Sequence, residues 1–155
     1  GNVSQLNKRC VHPIERSWYG NSADVLFQAY PFIKSDFWAS LSHDDVLYLD
    51  SQGCFQLPIR PLLHTILVEY FRYMHPLLPL LDEITFWQSY DATYETLHPQ
   101  SISLFVIQAI IFASCPFLSA QTIKACGFSD KRDARAAFYR RAKVYIPTLS
   151  LRASH

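Results

Sequence analysis

Residues 60–87 constrain the fold of this chain more than any other stretch. Apolar side chains fall at Leu62, Leu63, Ile66, Leu67, Tyr70, Phe71 and Met74, the i, i+3, i+4, i+7, i+8 spacing of a helix with one buried face. Pro61 fits the first turn, where no backbone N–H is needed, and Pro76 ends the far side. The run Pro76-Leu77-Leu78-Pro79 then forces a short extended elbow, because a residue before proline is pushed out of the α region. Asp82 is placed to cap a second helix carrying Ile84, Phe86 and Trp87. The stretch is a helix, a rigid apolar elbow and a second helix, and no chemistry follows from it.

The rest of the chain repeats the helical theme. Residues 1–20 are polar and mixed, a loop-like lead-in. From Ser22 the positions Val25, Leu26 and Ala29 suit a short helix that Pro31 interrupts, with irregular chain beyond it. Ser42 and Asp45 form a capping-box variant ahead of Val46, Leu47 and Leu49, so another short helix begins at His43. Gly53 breaks it, and residues 54–58 are an extended link into the organising helix. The second helix is expected to run on through Gln88 to Tyr94 before a loop at His98-Pro99. Ser101 is expected to cap the run from Ile102 to Leu118, which is apolar nearly all round. A membrane span needs about 20 apolar residues; this run is shorter and holds Ser103, Gln108, Ser114 and Pro116, so it predicts a central buried helix.

A short helix through Ile123 is expected next, with Gly127 as a left-handed C-cap. Ser129 or Asp130 caps a last helix from Lys131 to Ile146, ended by Pro147. On a helical wheel Ala134, Ala137, Phe138 and Tyr145 share one face, with Arg132, Arg140 and Lys143 opposite and Arg135 at the edge. Arg141 falls inside the apolar arc, which requires it to snorkel or to pair with a carboxylate. No segment keeps a strand-like alternation. The fold class is all-α: an irregular multi-helix bundle.

Composition narrows the function classes. At 155 residues the chain can hold one domain or part of one. Half of it is hydrophobic, which argues against disorder over most of its length. A formal net charge of +1 gives no global pull toward nucleic acid or an anionic membrane. Cys10, Cys54, Cys115 and Cys126 include no C-x-x-C pair, so a zinc ribbon is not supported, and Cys115 sits in an apolar run as a small buried hydrophobe. The start shows no secretory or transit pattern and no initiator Met, and Asn2-Val3-Ser4 is a chance-level glycosylation triplet. The chain is expected to be an intracellular piece of something longer.

Candidate chemistry is sparse. His64 and His75 share a helix face but lie roughly 16 Å apart along it, too far to share a metal. His75 is better placed as a helix-ending hydrogen-bond donor. The pairs Asp44-Asp45 and Asp82-Glu83 stand at helix starts, where acids cap and meet the dipole. No serine occupies a nucleophile elbow. Arg132, Arg135, Arg140 and Lys143 form either a basic interaction face or a solvated helix side, since Asp133 interrupts the run.

The segment Tyr70-Phe-Arg-Tyr-Met-His-Pro-Leu-Leu-Pro-Leu-Leu-Asp82, with Phe86 following, resembles the signature that opens the regulatory domain of fungal transcription factors. That domain is the middle homology region of the zinc binuclear cluster family. Residues 104–118 resemble the family's buried helix. Residues 127–143 resemble its next helix, with greatest similarity to the branch containing the cutinase transcription factors. Residues 41–49, with Gly53 and Leu57-Pro58, are similar to that branch's lead-in. The matches run from about Leu41 to Tyr145 in the family's order.

The resemblance implies a lead-in at residues 1–40 and the N-terminal part of a regulatory domain at residues 41–155. It implies a non-enzymatic, nuclear role in transcription by RNA polymerase II through intramolecular, dimer or effector contacts. DNA contact and zinc would belong to an N-terminal six-cysteine cluster that this chain does not contain, so the chain itself takes no cofactor. A homodimer and a small-molecule effector are implied as partners, with no membrane. Apolar faces that expect further helices would leave an exposed apolar patch. The alternative is an α-helical enzyme or small-molecule-binding domain, with a pocket between helices lined by Tyr70, Tyr73, Trp87 and Phe112.

Overall fold

The computed structural model describes residues 23–34, 40–92 and 101–143. Its architecture is mostly helical: six α-helices among the described residues, joined by short 3₁₀ and π turns, with one two-stranded ribbon.

The organising stretch folds largely as its spacing dictates. Helix α2 spans Arg60–Glu69 with Pro61 in its first turn, and buries Leu63, Ile66 and Leu67. It then widens into a π turn, Tyr70–Met74, in which the His75 N–H donates to the Tyr70 carbonyl at 2.8 Å. The wider turn puts both Tyr70 and Phe71 in the core. Beyond Pro76 the elbow is held from beneath. The Tyr70 hydroxyl donates to the Leu78 carbonyl at 2.8 Å and accepts from the Leu80 N–H at 3.1 Å, which satisfies two backbone groups that no regular element serves. Asp82 caps α3, Glu83–Asp91, its carboxylate accepting from the Thr85 N–H at 2.8 Å. The Arg60 guanidinium donates to the Tyr90 carbonyl at 2.9 Å and lies 4.5 Å from the Tyr90 ring centroid, which ties the start of α2 to the end of α3.

Helix α1, His43–Ser51, carries the expected capping box: Asp45 N–H to Ser42 Oγ at 3.1 Å, and Ser42 N–H to Asp45 Oδ2 at 3.4 Å. Gly53 adopts φ 75°, the left-handed region that lets the chain reverse after a helix. Helix α4, Leu104–Ser114, runs through the core and buries Leu104, Ile107, Ile110 and Ile111. A 3₁₀ turn at Cys115–Phe117 leads to the short α5, Ala120–Ala125, after which Gly127 takes φ 90°. Helix α6, Lys131–Lys143, is capped by Asp130, whose carboxylate accepts from the Asp133 N–H at 2.8 Å. It packs on α4 and buries Ala134, Ala137, Phe138, Arg141 and Ala142.

Three expectations change. The segment from Ser22 to Ala29 does not fold as a helix. Asp24–Leu26 form strand β1, paired antiparallel with β2, Gln56–Pro58, and Phe27–Ala29 form a 3₁₀ turn. A helix this short gains little by itself; pairing Val25 with Leu57, and docking Phe27 on Phe55 with ring centroids 6.1 Å apart, outweighs it. Second, Ser103 rather than Ser101 stands at the N-cap of α4, and it makes no side-chain cap bond. The reason is that Ile102 already donates to the Phe32 carbonyl and accepts from the Lys34 N–H, both at 2.8 Å, so it is committed to extended structure. Third, α3 stops at Asp91. The expected end of the last helix at Ile146, Tyr145, Cys10 and the loop at His98-Pro99 lie outside the described residues.

Residues 23–34 belong to the same core as the helices. Phe32 packs on Phe86 and Tyr90 with ring centroids 5.9 and 5.3 Å apart. Tyr30 donates its hydroxyl to the Pro58 carbonyl, and burial pushes its ionisation above the ordinary tyrosine range. Buried Gln108 on α4 donates to the Cys54 and Gln56 carbonyls at 3.0 and 2.8 Å. The one amide in this helix thus serves the outer edge of the ribbon, though its Oε1 is left without a hydrogen bond.

Candidate functional site

Two faces and one buried contact are candidates, and each is positioned by the fold above. The first face is basic. Arg132, Arg135, Arg140 and Lys143 are all exposed on α6, on the side away from Ala134 and Phe138. The separation follows the helical period: the small residues and Phe138 face α4, so the long cationic stems turn outward. Lys143 lies 5.7 Å from the Tyr139 ring, and Tyr139 packs on Phe112 with centroids 5.4 Å apart. Arg140 and Lys143 lie in the last turn of the helix, where they complement its dipole.

The second face is apolar and belongs to the elbow. Leu77 is 79% and Ile84 72% exposed, and Leu78, Leu80 and Tyr73 are roughly half exposed. Tyr73 stacks on Phe117 at 5.1 Å with ring planes 17° apart. The elbow is not the extended segment expected of Pro76 and Pro79: His75 keeps α-region dihedrals, and the Leu77 and Leu78 N–H groups both donate to the Met74 carbonyl, at 2.9 and 2.8 Å, so the chain stays in a tight turn past Pro76. The Tyr70 hydroxyl then holds the backbone at Leu78 and Leu80. The prolines mark the elbow in the sequence; the outward direction of its side chains is not marked there. The expected exposed apolar patch therefore takes a definite location.

The aromatic residues expected to line an inter-helix pocket are distributed as follows. Tyr70 is fully buried beneath the elbow, and burial raises its ionisation. Trp87 is half-buried on α3 and meets Phe71, Phe86 and Tyr90 with centroids 5.5, 5.3 and 5.3 Å away. Tyr70 and Trp87 are joined through Phe71. Tyr73 is held on Phe117 and Phe112 on Tyr139, each with its own partner.

The buried contact is an ion pair. Arg141 Nη2 donates to Asp24 Oδ2 at 2.9 Å, with side chains only 8% and 5% exposed. Of the two outcomes that its place in the apolar arc allows, snorkelling or pairing with a carboxylate, this is the second, and its partner comes from the lead-in strand. Arg141 also packs against Gly53, where a Cβ would stand 3.2 Å from its Nε. Its Nη1 is buried without a hydrogen bond. Two buried thiols lie near the pair: burial pushes Cys54 up to about 12 and Cys126 up to about 11, and burial also raises Cys115, beside Lys131. Such thiols are poor nucleophiles and poor metal ligands.

The histidines take structural places. His64 lies against Trp87 with centroids 5.3 Å apart. His75 does not act as a side-chain donor to close the helix: its ring packs on Tyr70 and Phe71, and its buried Nδ1 has no hydrogen bond. The carboxylates act as caps. At Asp82 the Thr85 side chain and N–H hold ionisation below the ordinary carboxylate value. Among the described residues no three His, Cys, Asp or Glu side chains gather as a metal site, and no helix is long and apolar enough to cross a membrane.

Comparison with known proteins adds what geometry does not. No protein-family model matches the chain, and no solved structure matches it. The cutinase transcription factor 1 beta of Fusarium vanettenii is 30% identical over 104 residues, 67% of this chain and 12% of that protein. The fusaric acid cluster transcription factor FUB12 of Gibberella fujikuroi is 31% identical over 98 residues, 63% of this chain and 14% of that protein. A protein named simply transcription factor from Fusarium pseudograminearum is 30% identical over 104 residues, 67% of this chain and 11% of its own length. The chain spans about an eighth of the length of the curated relatives it matches. Across some two thirds of its length, the proteins this chain is related to are fungal transcription factors.

Proposed function

We propose that this chain is the N-terminal part of a regulatory, non-DNA-contacting domain of a fungal zinc-cluster transcription factor. The observation that carries the reading is the kinship, at about 30% identity over 98 to 104 residues, with fungal transcription factors. The order of the motifs along residues 41–145 supports it. In this reading the parent works in the nucleus on RNA polymerase II genes, and its DNA contact and zinc reside in a six-cysteine cluster elsewhere in the parent. The chain itself performs no reaction and takes no cofactor. It controls output through intramolecular contacts, a homodimer, or a small effector that shifts the balance between two packings of the helical body. The basic face of Arg132, Arg135, Arg140 and Lys143 is one surface for such contacts.

The test is a reporter experiment. The chain is inserted between a heterologous DNA-binding domain and an activation domain, and transcript is measured at matched protein level. Output should change several-fold against the fusion without the insert. Substituting Phe71→Ala, which disrupts the core, should abolish that change. Output that matches the insert-free fusion would sink the regulatory reading.

A further inference from the structure

We propose that the elbow ridge is the face on which a second copy of this chain docks. The ridge consists of Tyr73, Leu77, Leu78, Leu80, Ile84 and Phe117, all of which leave large apolar surface in water. Leu77 stands one turn beyond Tyr73, its N–H bonded to the Met74 carbonyl at 2.9 Å, so the stacked Tyr73–Phe117 pair and Leu77 continue one another.

Area is the first argument. Taken together these residues leave on the order of 600 Å² exposed, comparable to the largest patch on an ordinary monomer. Doubled across a two-fold axis, that reaches about 1,200 Å², the lower bound of a stable specific interface. Rigidity is the second. The Tyr70 hydroxyl holds the backbone at Leu78 and Leu80, so docking orders little that is not already fixed, and the entropic cost is small. Charge is the third. Arg72 flanks the ridge at its start, where it is 59% exposed and only loosely paired with Glu69 at 3.4 Å. Asp82 and Glu83, both exposed, flank its end. A patch with opposite charges at its two ends is complementary to itself under two-fold rotation, as a symmetric dimer requires.

The proposal rests on the homodimer in the reading above and names its surface. Its test is sedimentation equilibrium of the 155-residue chain, with far-UV circular dichroism to confirm that each variant is folded. At about 100 μM, well above a micromolar dissociation constant, the mass should approach twice the 17.9 kDa of the monomer. Leu77→Glu and Ile84→Glu should each weaken association by about tenfold or more. Leu47→Glu, on an exposed position of α1, should leave it unchanged. Arg72→Glu and Glu83→Arg should each weaken the dimer, and together restore it. A monomeric wild type, as would follow if another part of a longer parent covers the ridge, overturns the proposal. So does open-ended aggregation, or a dimer indifferent to Leu77→Glu. None of these outcomes bears on the reporter test, so the two readings fail separately.

Discussion

Helix α4 and the elbow are both densely apolar, yet they end in opposite environments. Along α4, Leu104, Ile107, Ile110 and Ile111 are buried, and Ser114 returns its hydroxyl to the Ile110 carbonyl at 2.8 Å. In the elbow only the backbone is looked after, by Tyr70, while Leu77 and Ile84 stand in water. The difference teaches that apolar content supplies a driving force without choosing its object. α4 is covered because α2, α6 and the π turn close on it. The elbow has a floor, Tyr70 and Phe71, and no lid among the described residues.

Substitutions can break this contrast or sharpen it. Phe71→Ala removes the elbow's floor and should cost about 3–5 kcal/mol in denaturant unfolding; a loss under about 1 kcal/mol would show that the elbow does not depend on the core beneath it. Ile110→Ala in α4 should cost about 2–5 kcal/mol by the same measurement. Tyr70→Phe keeps the ring and removes both hydrogen bonds to the elbow, so about 1–2 kcal/mol is expected, with faster amide exchange at Leu80 as its signature. Leu77→Ala should change monomer stability by less than about 0.5 kcal/mol, and a cost like that of Ile110→Ala would mean the ridge is covered. The smallest effect is pH-dependent. Because the Asp82 carboxyl is held below its ordinary 3.8, its cap is fully present above that value and is lost as pH falls through the lowered one. Exchange of the Thr85 amide should therefore quicken on acidification relative to that of Asp45, whose amide the Ser42 hydroxyl caps.

Much of the helical frame was legible because its determinants are local. Ser42 with Asp45, Asp82, Asp130 and Gly127 declare helix ends within four residues of themselves, and the structure uses each as expected. Arg141 was legible in kind, since a cation in an apolar arc must either snorkel or find an anion. Its partner was not, because Asp24 lies 117 residues away and carries no local mark. The ribbon was hidden for a related reason. Strands of three residues are too short to show alternation, and β1 is defined by β2, some thirty positions further on. Of the candidate surfaces, the basic face follows from the helical period alone. The apolar ridge was visible only as a stiff elbow, since whether a side chain is covered depends on elements that are remote in sequence.

The Asp24–Arg141 pair has a consequence for the order of events in folding. Closing a loop of 117 residues costs about 4 kcal/mol by the logarithmic law, more than one ion pair returns once its own dehydration is counted. The two charges therefore cannot find each other in a loose chain. They meet only after α4 has brought α6 and the ribbon side by side, so the contact belongs to the descent from the transition state rather than the climb to it. Weakening it should leave the refolding rate nearly untouched and hasten unfolding. During synthesis Asp24 waits for the last helix to emerge, long after β2 has become available to pair with the strand that carries it.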